Sequence, residues 1–394
     1  QNIAQERIEL PELNIETMPF DTGSAKFDLT FTVEEAQSEQ SGEPVDVSIE
    51  YNTDLFRVET IKRLSHHFTT VLEAIAQSTE QDVMSIDILS ETERQQQLIQ
   101  WQKQSVEHTE FLSVQQMFEA QVNQTPDAIA LRFGQQSMSY KVLNAQANQL
   151  ADYLKQQGIG RGQSVGICLN RSLEMIVALY GVLKSGAAYI PMDINYPKER
   201  LLYMLAETDA PLLITNNDLQ ETLNVEQDKV FLVDHQWAVL NDFSTENPEV
   251  IDQRNDPLYT IFTSGSTGQP KGARVRHSGE LNLLPWYVND FSMTEQDNVL
   301  LMSAFGFDLT QKNLFAPLVC GGTLVIPEIE HYDHQYLIDT IKTHDITWLN
   351  CAPSAFYPIV EQQKSWSKIA SLRYVFLGGE PINLHRIAHW EAQR

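Results

Sequence analysis

From residue 128 onward the chain alternates strand-like and helix-like segments, and that alternation constrains the fold more than any other feature. Short apolar runs over 128–133, 164–169, 188–191 and 212–215 read as strands. Between them, 140–157, 172–184 and 198–207 read as helices, and the same alternation resumes from Asn298 to the C-terminus. Neighbouring parallel strands need a crossover, most often a helix. The pattern therefore predicts a layered α/β domain with mostly parallel, buried sheets. Just upstream, Ser113-Val114-Gln115-Gln116 reads as a capping box opening a helix through Val122. No internal repeat is evident.

The first ninety residues read differently. Phe27-Asp28-Leu29-Thr30-Phe31-Thr32-Val33 and Val45-Asp46-Val47-Ser48-Ile49-Glu50-Tyr51 alternate at period two, with Ser41-Gly42-Glu43-Pro44 as turn chemistry between them. Leu55, Val58, Ile61, Leu64, Phe68, Val71, Leu72 and Ile75 then fall on one helical face. A hairpin and one helix make a thin core. The segment is expected to be the end of an α+β domain whose beginning lies elsewhere, and a start at Gln1 without methionine points the same way. Residues 79–112 are polar and Gln-rich, a linker with Ile86, Ile88 and Leu89 as isolated anchors. The predicted organisation is 1–90, a linker over 91–112, and the α/β domain over 113–394.

A chain of 394 residues holds more than one folding unit. A net charge of −26, spread along the chain, repels nucleic acid and anionic membranes. Cys168, Cys320 and Cys351 lie far apart in apolar surroundings. Without a signal peptide, that odd count argues for a reducing cytoplasm and against a disulfide scaffold. No apolar stretch approaches the ~18 residues needed to span a bilayer.

The chemistry concentrates in Tyr259-Thr260-Ile261-Phe262-Thr263-Ser264-Gly265-Ser266-Thr267-Gly268-Gln269-Pro270-Lys271-Gly272. An apolar strand runs into hydroxyls and glycines, then a lysine. Glycines let backbone N–H groups converge on one point, hydroxyls add donors, and Lys271 adds a mobile positive charge suited to polyphosphate. It is not a Walker A loop, because Pro270 stands where the last glycine should be and Gly272 follows the lysine. The loop resembles the phosphate loop of adenylate-forming enzymes, the superfamily of nonribosomal peptide synthetase adenylation domains, acyl-CoA synthetases and luciferases. Met138-Ser139-Tyr140-Lys141-Val142-Leu143-Asn144 and Leu183-Lys184-Ser185-Gly186-Ala187-Ala188-Tyr189-Ile190-Pro191-Met192-Asp193 are similar to the first two core motifs of adenylation domains. Read alone, the second is a helix ending on Gly186 and a strand closed by Pro191.

Within that resemblance, residues from about 110 to 394 correspond to the adenylation domain, and the first ninety or so resemble the last hairpin and helix of a condensation domain. Thr263, Ser264, Gly265, Ser266, Thr267, Gly268 and Lys271 are then expected to hold the pyrophosphate side of Mg-ATP, with Thr263 and Lys271 catalytic. Gly379, Glu380 and Pro381, in the Leu377-Gly378-Gly379-Glu380-Pro381 turn after an apolar strand, form the wall against which adenine packs. In Phe305-Gly306-Phe307-Asp308-Leu309-Thr310, an acid between apolar residues is either a surface loop acid or a buried carboxylate needing donors. The resemblance implies that Phe307 lies beside the substrate carboxylate and that Asp308 holds its α-ammonium, which favours an α-amino acid over a simple acid. The implied reaction makes aminoacyl-AMP and passes the aminoacyl group to the phosphopantetheine thiol of a carrier domain.

Leu309, Lys312, Asn350, Phe376 and Gly378 align with the pocket lining. Leu309, Lys312 and Phe376 are bulky and leave room for glycine or another small amino acid. Alternatively Lys312 pairs with a substrate carboxylate and selects Asp or Glu, and its ammonium also has a protein acid or solvent as possible partners. The small substrate is preferred. The condensation active site, the later adenylation elements and the mobile C-terminal subdomain with its catalytic lysine are expected outside this stretch, which alone should adenylate poorly or not at all. The rival classes are a fatty-acid or aryl-acid CoA ligase and a non-catalytic docking platform. His66-His67 lacks the Asp and Gly of a condensation motif, and His331-Tyr332-Asp333-His334 lacks a third metal ligand, so neither is taken as a site.

Overall fold

A computed structural model describes residues 23–34, 46–102, 110–249, 251–263, 270–329 and 331–393. The chain divides into two compact units, 1–105 and 106–394. In the first, β1 (Leu29–Glu34) and β2 (Asp46–Tyr51) pair antiparallel, with Phe31 opposite Ile49 and Val33 opposite Val47. The turn residues Ser41-Gly42-Glu43-Pro44 lie outside the described residues. The helix Val58–Gln77 follows, and the Phe31 and Phe68 rings meet at 5.2 Å. Of its predicted apolar face only Ile61 is buried, while Val58, Leu72 and Ile75 are near half exposed. The polar stretch after it is not featureless. Ser90 and Glu93 form a reciprocal capping box at the start of the short helix Glu91–Gln95.

The second unit carries two six-stranded sheets. In chain order its strands are β3 (Ile129–Phe133), β4 (Gln136–Ser139), β5 (Ser164–Ile167), β6 (Ala188–Pro191), β7 (Leu212–Thr215), β8 (Val230–Leu232), β9 (Pro257–Thr263), β10 (Lys271–Arg276), β11 (Asn298–Leu300), β12 (Thr323–Ile326), β13 (Trp348–Cys351) and β14 (Tyr374–Leu377). One sheet runs β10-β9-β6-β5-β7-β8 and the other β14-β13-β11-β12-β3-β4. Only the edge pairs β9–β10 and β3–β4 are antiparallel, so the expectation of mostly parallel sheets holds.

The inner parallel strands, among them β5, β6, β7, β12 and β13, bury both faces, as period-two geometry requires of a covered parallel sheet. On β12, Leu324 and Ile326 join the central core while Val325 joins an outer one; on β7, Leu212 and Ile214 face the central core and Leu213 the opposite side. The helices Tyr140–Gln156, Leu173–Ser185 and Asp308–Val319 supply the central core between the sheets. Lys198–Glu207 covers the outside of the first sheet, and His334–Thr343 with Pro353–Val360 the outside of the second. Gly181 explains how closely two central helices approach, because a Cβ there would lie 2.6 Å from Leu150 Cδ2. Gly186 ends Leu173–Ser185 in the left-handed region, φ 96°, where glycine carries no Cβ penalty. The predicted capping box at Ser113 does not form. The Gln116 side chain accepts from Leu112 N instead, and Ser113 makes no side-chain cap to the helix Val114–Gln124.

Candidate active site

β9 leads from the interior to the glycine-rich loop. Thr263 closes β9 opposite Lys271, the first residue of β10, so the hairpin brings the two predicted catalytic residues into register, both exposed. Ser264, Gly265, Ser266, Thr267 and Gly268 lie outside the described residues. Gly272 sits where a Cβ would come within 3.1 Å of Thr260 Cγ2, a tight fit against the neighbouring strand. Tyr259 stands on the same strand face as Thr263, about 13 Å back along the strand.

Phe307 and Asp308 open the helix Asp308–Val319. Phe307 is the extended N-cap and Asp308 the first helical residue, where a carboxylate interacts favourably with the helix dipole. Neither is buried: Phe307 is 56% exposed. Of the two readings the sequence left open for Asp308, the exposed one is found, its Oδ1 accepting from Leu309 N at 2.7 Å. The segment is held from behind. Buried Gln311 donates through Nε2 to Phe305 O at 2.7 Å and to Phe307 O at 2.9 Å, and accepts from Tyr189 Oη at 2.5 Å. Thr310 Oγ1 donates to Ala304 O. Gly306 leaves room for Tyr196, whose hydroxyl would lie 2.7 Å from a Cβ at that position.

The five aligned lining residues come together. Asn350 on β13 pairs in register with Phe376 on β14. Lys312 Nζ stands 5.7 Å from the Phe376 ring centroid and 5.2 Å from that of Tyr287. Leu309 Cδ1 is the nearest side-chain atom to the space beside Gly378. Phe376 stacks on Trp348 at 5.5 Å, and Tyr287 and Phe291 complete the aromatic wall. Burial lowers the Lys312 pKa, while Glu280 and Asp308 act to raise it. Asn350 is buried and its Oδ1 has no hydrogen-bond partner among the described residues.

The adenine-wall candidates lie at the end of β14. Gly379 has φ 84° and open space where a Cβ would point. Glu380, exposed with Gly379 and Pro381, accepts from Ser354 N and Ser354 Oγ at the start of Pro353–Val360. Glu380 therefore also caps that helix, a role its place in a glycine turn did not suggest.

Both decoys have structural work. His67 pairs with Glu93 at 2.9 Å. Asp333 caps His334–Thr343, and His334 contacts Gln362. Burial pushes the thiols of Cys168, Cys320 and Cys351 up to about 12, which suits core residues rather than nucleophiles. A separate cavity of about 480 Å³ includes Arg171, Asp193, Phe305 and His331 in its lining, and none of the predicted site residues lines it. Arg171 is already committed there, donating to the carbonyls of Leu301, Met302 and Ser303.

The family model for AMP-binding enzymes matches residues 118–394, and that for condensation domains residues 2–98. The chain belongs to the AMP-binding enzyme family. The relatives of this AMP-binding enzyme include gramicidin S synthase 2 of Brevibacillus brevis, 35% identical over 97% of this chain and 8% of the relative. Tyrocidine synthase 3 of Brevibacillus parabrevis is 36% identical over 97% of this chain and 6% of its own length. The chain thus spans under a tenth of these two relatives. Among solved structures, the nonribosomal peptide synthetase FmoA3 superposes with TM-score 0.76 at 25% identity, over 88% of this chain and 37% of that one. The N-terminal subdomain of Klebsiella oxytoca NpsA gives 0.62 at 23% identity, over 70% of each chain. This likeness shows the fold.

Three polar residues beside the candidate site were not singled out from sequence: Tyr259, Glu280 and Gln311. Glu280, on the helix His277–Asp290, is 3% exposed; Tyr259 Oη donates to its Oε1 at 3.0 Å and its Oε2 has no hydrogen-bond partner among the described residues. The available signal was an acid on the apolar face of that helix, in step with Leu281, Leu284 and Tyr287.

Proposed function

We propose that this chain is the nucleotide- and amino-acid-binding core of an adenylation domain, following the closing part of a condensation domain, in a nonribosomal peptide synthetase. The observation that carries it is the convergence of Leu309, Lys312, Asn350, Phe376 and Gly378 beside Asp308. One amino-acid carboxylate oxygen attacks the α-phosphorus of ATP. The bond to the bridging oxygen breaks, giving aminoacyl-AMP and pyrophosphate. The loop from Thr263 to Lys271 neutralises the departing pyrophosphate, Asp308 holds the α-ammonium, and Phe307 lies beside the carboxylate. Gly379, Glu380 and Pro381 take the adenine, and the open space at Gly379 suits a flat ring. Mg²⁺ would be carried largely by the phosphates, supplying charge neutralisation. In the second step a carrier domain's phosphopantetheine sulfur attacks the acyl carbon and AMP leaves.

For the substrate, the side chains favour a small amino acid. Lys312 lies among aromatic rings and shares its charge with a protein acid, Glu280, so it is poorly placed to reward a substrate carboxylate. ATP–pyrophosphate exchange on the full-length protein, across an amino-acid panel, tests this. Exchange driven by glycine or alanine is expected. Exchange driven by Asp or Glu would make Lys312 the substrate's counter-ion, and exchange only with a simple carboxylic acid would remove the role given to Asp308.

A further inference from the structure

Glu280 is a buried acid that the reaction above does not use. Its helix packs against Asp308–Val319, the helix that carries Lys312. Glu280 and Tyr287 are seven residues apart, so they share the buried face of His277–Asp290 two turns apart. Lys312 Nζ stands over the Tyr287 ring of that same face at 5.2 Å. Tyr259 Oη satisfies Glu280 Oε1, leaving Oε2 buried with no hydrogen-bond partner among the described residues. A wholly buried carboxyl with one bare oxygen is costly unless a cation lies close by. Lys312 acts on it as that cation across the packed helices, without a direct ion pair between the two among the described residues.

Resting on the small-substrate reading above, we propose that Glu280 is a specificity-determining residue: it neutralises Lys312 from inside the protein and so makes the pocket refuse amino acids with a side-chain carboxylate. Each group acts on the other. Burial holds the Glu280 pKa above the ordinary carboxylate value, with Tyr259 and Lys312 acting against that rise. The Lys312 pKa is lowered by burial and supported first by Glu280, then by Asp308. As a pair they carry no net charge, and a third charge entering beside them meets no unpaired opposite. Separating the pair gives each partner a different appetite. Lysine alone attracts a substrate carboxylate, and glutamate alone attracts a substrate ammonium. Glu280 also protects Asp308, because an unneutralised Lys312 would compete with the substrate's α-ammonium for that carboxylate.

The test is ATP–pyrophosphate exchange on the full-length protein with wild type, Glu280→Gln and Lys312→Met. Each is assayed with glycine, alanine, aspartate, glutamate, ornithine and lysine. Glu280→Gln keeps the shape and Tyr259 contact. It is expected to raise the acidic-to-neutral ratio of kcat/KM by about tenfold or more, and to raise KM for the neutral amino acid. Lys312→Met is expected to move preference the other way, toward ornithine and lysine. A wild type that prefers glycine or alanine, with both variants folded and keeping that charge preference, overturns the role of Glu280 and leaves the small-substrate reading standing. A wild type that prefers aspartate or glutamate overturns that reading and the role of Glu280 with it. Should Glu280→Gln lose its thermal transition, Lys312→Met carries the test alone, since Glu280 left without its cation can take up a proton, the direction in which burial already moves it.

Discussion

The two units answer the same kind of helical pattern in opposite ways. Val58–Gln77 carries an apolar stripe and buries only Ile61; Leu173–Ser185 buries every residue but Glu174. The first packs with a two-stranded ribbon, the second inside a layer with a sheet on either side. An apolar stripe becomes core only to the extent that other layers cover it. Each aliphatic side chain fully removed from water contributes about 1.5–3 kcal/mol. The contrast bears on function too. The proposed site, which would hold Phe307, Asp308 and Lys312 in fixed positions, needs neighbours that cannot shift, and the second unit offers Gln311 and the Trp348 wall to fix them.

The sharpest break of that contrast is Trp348→Ala. Trp348 is 1% exposed and packs against Tyr374 at 4.7 Å, Tyr287 at 5.3 Å and Phe376 at 5.5 Å. Its removal should cost the second unit about 3–5 kcal/mol. It should also loosen the wall beneath Lys312, so exchange activity falls under conditions where the variant is still folded. Denaturant unfolding followed by far-ultraviolet dichroism reads the first effect. A loss of stability with undiminished exchange would mean that the wall supports the core and not the site.

Much of the second unit is legible in the sequence alone. Strand and helix segments of the second unit were readable because each strand is a short apolar run and each helix a longer periodic one, with Gly186 and Pro191 as punctuation. The candidate site was legible where chemistry is local, as in Phe307-Asp308. It was illegible where partners are distant in sequence. Tyr259 and Glu280 are 21 residues apart, and Tyr189 and Gln311 are 122 apart. No window over the sequence brings such pairs together. The helix start at Ser113 shows the same thing: the Gln116 side chain turns to Leu112 N, and Val114 N donates to His277 Nδ1, which only the fold puts there. Burial holds His277 down near 4, so its ring is neutral and free to accept.

A matched pair of truncations sharpens the contrast between the units. Ile176 is fully buried in Leu173–Ser185 and Ile61 is 7% exposed in Val58–Gln77. Ile176→Ala should cost about 4 kcal/mol, because close-packed neighbours on every side cannot collapse into the gap. Ile61→Ala should cost about 2 kcal/mol or less, because a thinly covered site relaxes more easily. Unfolding monitored by hydrogen exchange separates the two units. Equal losses would mean that Ile61 is held as rigidly as Ile176, and the contrast drawn from burial would fail.

The smallest effect lies in the first unit and depends on pH. Glu93 is drawn down from the ordinary 4.5 to about 2, chiefly by the Ser90 hydroxyl and then the Ser90 N–H, with His67 adding to them. A carboxyl whose folded-state pKa is depressed adds stability that is fully present above its unfolded value near 4.5 and is lost as pH falls through about 2. Ser90→Ala removes the largest cause, so Glu93 titrates nearer its ordinary range. At neutral pH the loss should be about 1 kcal/mol, the usual worth of a hydroxyl cap. Toward pH 2 the gap should narrow, because the carboxyl becomes protonated, to the part carried by the Glu93 N–H donating to Ser90 Oγ, which does not titrate. Local hydrogen exchange at Glu93 and Arg94, followed from pH 7 to pH 2, reads this directly. A gap that stays constant across that range would mean that Ser90 acts on the backbone alone and that Glu93 owes its ionisation to His67.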